Sequence, residues 1–108
     1  MRRTLAIAVL LSASSLSAHA VEVKGPWSCG EWIRYRAEQN SWQYVSEVNW
    51  LIGYLSGLAV ARNKDFLVGT DVESIELWVD NYCRANPLAR VDDAGILLAA
   101  ELMKRKGL

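Results

Sequence analysis

The sequence predicts an all-α protein: a small four-helix single domain with one disulfide, after a cleaved signal peptide. Three observations predict it. Apolar residues recur at spacings of three and four over separate stretches. No stretch alternates with period two for long enough to be a strand. Two cysteines, Cys29 and Cys83, stand 54 positions apart in a chain with the leader of a secreted protein.

The leader is residues 1–20. Arg2 and Arg3 give a positive start, residues 4–11 form a short apolar run, and Ala18 and Ala20 are small residues where a signal peptidase reads. Cleavage after Ala20 is expected. An uncleaved anchor needs an apolar run of about 20 residues. The domain is then residues 21–108. The leader takes two of the 12 basic residues and none of the 12 acidic ones, so the mature chain carries a net charge of −2. It also takes His19, the one histidine of the sequence. Schemes built on an imidazole base, triad or metal ligand are thereby excluded.

A chain this short is marginally stable without a staple. Two cysteines allow one intramolecular pairing, Cys29 with Cys83. A bridge closing so long a loop stabilises by roughly 2–4 kcal/mol, mainly by restricting the unfolded chain. A metal site built from two cysteines and no histidine is not expected, nor is any cofactor. The mixed, slightly negative charge offers no basic stripe for nucleic acid.

Residues 21–27 read as a short extended lead ended by Gly25-Pro26. The first helix begins at Ser28, where Ser28 and Glu31 have capping-box spacing, and fades near Gln39-Asn40-Ser41. The second runs from about Trp42 to Ala61. Its apolar face comprises Val45, Val48, Leu51, Ile52, Leu55, Leu58 and Ala59. Residues 66–70 are a connection turning at Gly69. The third helix starts at Thr70 or Asp71, with Thr70 and Glu73 as a second capping box. Its stripe is Val72, Ile75, Trp78, Val79 and Tyr82. Asn86-Pro87 breaks the chain. The last helix spans about Val91 to Lys106, with Val91, Ala94, Leu98 and Leu102 on one face and Gly107 as its stop.

The stretch WLIGYLSG, residues 50–57, raises a separate question, because Gly53 and Gly57 are four apart. The surrounding uncharged apolar run, Trp50 to Ala61, has 12 residues, short of the about 20 that span a bilayer. No membrane span is expected. Two helix glycines cost roughly 1 kcal/mol each relative to alanine. The favoured reading is a close helix crossing at Gly53 and Gly57. The other is a loosened helix that opens to expose Trp50, Leu51, Ile52 and Leu55.

Several features together resemble a known family: a cysteine near the mature start, the central segment Gly53-Tyr54-Leu55-Ser56-Gly57, and CRANPLARVDDA at residues 83–94. The chain is similar, over about residues 28–102, to the HdeA/HdeB family of small periplasmic acid-stress chaperones. The resemblance implies a periplasmic protein that is a folded homodimer near neutral pH. In strong acid it would dissociate, partly unfold, and hold unfolded periplasmic proteins in solution without ATP. It places the disulfide on Cys29 and Cys83. The client or dimer surface falls on the apolar segment of Trp42, Trp50, Leu51, Ile52, Tyr54 and Leu55. Five tryptophans and the connection at residues 64–68 depart from the family pattern.

The composition permits an acid response. Carboxylates titrate near pH 4, and protonating all twelve takes the mature charge from −2 to +10. Self-repulsion grows while carboxylate pairings are lost. Asp71, Glu73, Asp80, Asp92 and Asp93 are the expected contributors.

Other classes are weaker. Asp92 and Asp93 are adjacent, so on a helix they point about 100° apart and suit a solvated helix start better than a shared acid–base site. Trp27, Trp32, Trp42, Trp50 and Trp78 suit core or interface packing better than sugar stacking. Lys104-Arg105-Lys106 complements a helix dipole. No nucleophile with a partner base is evident, and an enzyme is not expected. The rival is a periplasmic immunity or inhibitor protein that binds a toxin or lytic enzyme, with the tryptophans as interface anchors.

Overall fold

A computed structural model describes residues 21–108; the signal-peptide reading concerns residues 1–20 and lies outside them. Among the described residues the chain forms four helices: α1 (Cys29–Arg36), α2 (Trp42–Arg62), α3 (Val72–Ala85) and α4 (Val91–Lys106). No helix among them is long and apolar enough to cross a membrane.

Local chemistry fixes the ends. At α1, Glu31 N–H donates to Ser28 Oγ while Ser28 N–H donates to the Glu31 carboxylate, the reciprocal box that satisfies two free donors. At α2, Asn63 takes the left-handed conformation, φ 50°, and its N–H donates to Val60 O while Lys64 N–H donates to Ala59 O. That pair of bonds is a Schellman close. Gly107 closes α4 in the same way, with Leu108 N–H donating to Met103 O. The cap of α3 is Asp71, whose carboxylate accepts from Ser74 N–H; the expected Thr70–Glu73 box does not form. Asp71 is the stronger competitor because its charge also meets the positive end of the helix dipole.

α4 packs on α2 and α3, while α1 packs on α3 and α2. Their shared core is Trp32, Leu51, Leu55, Phe66, Val79, Val91, Ala94, Leu98 and Ala99 around the Cys29–Cys83 disulfide. The bridge joins the first residue of α1 to the end of α3, Cα to Cα 4.9 Å. Beside it the lead pairs with the α3–α4 loop: Cys29 N–H donates to Ala89 O and Val91 N–H to Trp27 O.

The predicted stripes hold in their centres and fail at their edges. Val48, Leu51 and Leu55 are buried on α2, but Val45 is exposed; Ile75 and Val79 are buried on α3, but Val72 is exposed. The connection contributes Phe66, fully buried, to the core.

The expected close crossing at Gly53 and Gly57 does not occur within the fold. Both glycines are exposed, and a Cβ built on either meets nothing within 4 Å. The close approach is at Gly95 on α4. There a Cβ would lie 2.9 Å from Cδ1 of Tyr54, so α4 gives up a side chain to seat the α2 tyrosine ring.

Candidate functional site

The most concentrated chemistry in the molecule is a polar junction where α1, α2 and α3 meet. Trp32 and Arg36 stand one turn apart on α1; Glu76 and Asp80 stand one turn apart on α3. Trp32 Nε1–H donates to Asp80 Oδ1 at 2.7 Å. Arg36 grips the same carboxylate with two bonds, Nε to Oδ1 and Nη2 to Oδ2, both 2.9 Å. Tyr44 on α2 donates its hydroxyl to Glu76 Oε1 at 2.8 Å. The guanidinium carbon lies 5.9 Å from the Trp32 ring centre and 5.6 Å from that of Tyr44, within reach of the ring quadrupoles.

The electrostatics are unbalanced: two buried carboxylates share one cation. The hydrogen bonds that Arg36 donates to Asp80, reinforced by the Asp80 and Glu76 charges, hold its guanidinium above its ordinary range against the opposing effect of burial. Burial, then the Glu76 bond, pushes the Tyr44 phenol up. Arg36 Nη1 sits 3.4 Å from Glu76 Oε2 without hydrogen-bond geometry and has no other partner. A buried network with an unsatisfied donor depends on its charges staying in place.

A second buried acid stands apart. Glu47 on α2 accepts one bond, from Trp27 N–H at 3.2 Å. Burial, aided by the nearby Glu31 charge and opposed by that bond, pushes its pKa up to about 7. Glu31 and Asp71, by contrast, are held below the usual carboxylate range by the backbone N–H groups they cap, those of Ser28 and Ser74.

The six residues expected to form a client or dimer surface occupy three environments. Leu51 and Leu55 are fully buried, so in the folded protein they are core and cannot form a dimer contact. Trp50, Ile52 and Tyr54 are half-buried. Trp50 stacks on Tyr54, ring centres 5.0 Å apart, and donates its Nε1–H to Lys24 O at 3.1 Å. Trp42, at the start of α2, is 70% exposed. The structure therefore does not gather these side chains into one open patch. Sequence reasoning placed Trp32 in core or interface packing, where it lies, but missed its polar role and missed Arg36, Tyr44, Glu76 and Glu47. The available signal was charge inside an apolar stripe: Glu76 and Asp80 flank Val79, and Arg36 follows Trp32 by one turn.

Three surface grooves among the described residues are about 290 Å³ each. One lies between the start of α3 and the end of α4 over Ile75, Trp78, Leu98 and Leu102. Its rim groups are already engaged: Asp71 caps α3, Arg105 pairs with Glu101, and Lys106 donates to Phe66 O.

No protein-family model, curated protein or solved structure matches the chain.

Proposed function

We propose that the protein is a periplasmic, ATP-independent holdase-type chaperone of acid stress. It is closed, as a homodimer, near neutral pH, and opens in strong acid to hold unfolded periplasmic proteins on its apolar interior. The observation that carries this reading is the junction of Trp32, Arg36, Tyr44, Glu76 and Asp80. It ties three helices together through two buried carboxylates and one cation. In strong acid, where carboxylates take up protons, Arg36 keeps its charge and loses its counter-charges. An uncompensated buried charge costs about 3–5 kcal/mol, a large part of the stability of a small domain.

The helix caps act in the same direction. Glu31 and Asp71 have depressed pKa values, so they stabilise the fold above their unfolded values, and that contribution is lost as pH falls through the folded ones. The disulfide keeps the start of α1 tethered to the end of α3, so opening stops short of a free chain. What opening would release is Leu51, Leu55, Val79 and Phe66, all inaccessible in the closed form.

The test is light scattering from an acid-labile client at pH 2–3, with and without the purified protein. The holdase reading requires suppressed scattering in acid and no effect at pH 7. Unchanged scattering in acid refutes it.

One observation favours the immunity or inhibitor reading. Trp42 is 70% exposed and Val45, three residues on, is 49% exposed, on the surface of the folded form. An exposed tryptophan beside an apolar neighbour has the character of an interface anchor. A toxin or lytic enzyme captured at pH 7 and released by Trp42→Ala would favour that reading.

A further inference from the structure

The lead, residues 22–27, lies over α2 and is attached by few bonds. Near its start Arg90 Nη2 donates to Val23 O at 3.0 Å, and Trp50 Nε1–H donates to Lys24 O. At its end Trp27 N–H donates to Glu47 Oε1, and Trp27 O accepts from Val91 N–H at 3.0 Å. Between them Gly25 turns with φ 96°, a conformation suited to glycine. A Cβ there would lie 2.7 Å from Trp50 Nε1. The next residues, Ser28 and Cys29, are fixed by the α1 cap and the disulfide.

Beneath this segment lies Glu47, 3% exposed and with no cation to pair with. The one charge that acts on it is that of Glu31, and the cations on the neighbouring elements are engaged elsewhere. Lys24 on the lead pairs with Glu22. Arg90, at the start of α4, pairs with Asp92. Arg36 of α1 is held by Glu76 and Asp80. Glu31 of α1 is of like charge.

We infer that residues 22–27 are a hinged strap that closes over Glu47 and Trp50 when Glu47 carries a proton, and lifts from Gly25 onward when Glu47 ionises, uncovering Trp50 while Cys29 stays pinned. A closed strap takes the carboxyl out of water, which penalises its charged form; an open strap returns it to water. Proton binding and strap closure are therefore linked. The sign is opposite to that of the three-helix junction: acidification tightens the strap and strong acid loosens the core. This inference does not require the protein to be a chaperone, since it concerns access to Trp50 at neutral and alkaline pH.

The test is amide hydrogen exchange by NMR on the secreted protein from pH 6 to pH 8, corrected for intrinsic exchange. With a folded pKa of about 7 and an ordinary value of 4.5 once open, the opening equilibrium at the Trp27 amide rises about tenfold over that interval. Leu51 and Leu98, in the core, stay far better protected than Trp27 at every pH, because they open only with the whole fold. Glu47→Gln keeps an acceptor for Trp27 and removes the proton, so its strap opening is flat with pH. Gly25→Ala strips protection from the Trp27 and Val91 amides at every pH while Leu98 stays protected. A pH-independent Trp27 amide in the wild type overturns the inference. So does a tenfold rise that survives in Glu47→Gln, or strap amides that exchange only together with Leu98 in both the wild type and Gly25→Ala.

Discussion

Replacing Asp80 by asparagine probes the three-helix junction with little change of shape. Asp80 accepts three hydrogen bonds, one from Trp32 and two from Arg36. Asparagine offers one acceptor oxygen, sets an NH2 group against a donor, and leaves Arg36 with Glu76 at 3.4 Å. Breaking a buried ion pair from one side costs about 3–5 kcal/mol. The remaining Glu76 contact places the expected loss near 3 kcal/mol at pH 7. With a urea slope of about 1 kcal/mol per molar for a domain this small, the midpoint falls by about 3 M. The assay is urea unfolding read by circular dichroism at pH 7. The loss reads the three hydrogen bonds to Asp80 and the charge left unpaired on Arg36. A loss under about 0.5 kcal/mol at pH 7 would refute the reasoning.

Further predictions test other parts of the fold. Gly53→Ala and Gly57→Ala meet no atom within 4 Å, so each raises stability by about 0.5–1 kcal/mol through helix propensity, measurable as a higher urea midpoint. Gly95→Ala drives a methyl to 2.9 Å from the Tyr54 ring; overpacking of about 1–3 kcal/mol outweighs the same propensity gain, and the midpoint falls. Glu47→Gln changes the pH profile of stability with a known sign. A raised carboxylate pKa means the folded state binds the proton more tightly, so the wild type loses stability as pH rises from 4.5 through about 7. The variant is therefore more stable by about 3 kcal/mol at pH 8 and equal to the wild type below pH 4. Reduction of Cys29–Cys83 costs roughly 2–4 kcal/mol, seen as a lower thermal midpoint in reductant.

Much of the helix layout was legible because it rests on local rules. The Ser28–Glu31 box, the Asn86-Pro87 break and the Gly107 stop each depend on residues within a few positions of one another. Where two neighbours fitted one rule, the choice failed: Thr70 and Asp71 both cap well, and Asp71 won. Features that depend on distant partners were not legible. A glycine pair four apart looks like a crossing from either side, but which helix supplies the large side chain is set by the tertiary fold, and here Tyr54 meets Gly95. The junction brings Arg36 to Asp80 across 44 residues and Tyr44 to Glu76 across 32; no local spacing announces such pairs. Phe66 was read as part of a connection, and it enters the core because the chain folds back after Asn63.

The most direct measurement of the proposed function is one acid titration from pH 7 to pH 2 in the presence of an acid-labile client. Binding of an apolar-surface dye by the protein and client light scattering are followed side by side in matched samples. The holdase reading predicts that dye binding rises as carboxylates protonate, and that client protection begins over the same interval. Asp80→Asn should shift both to higher pH together. Dye binding without client protection would contradict it, as would client protection that is complete at pH 7.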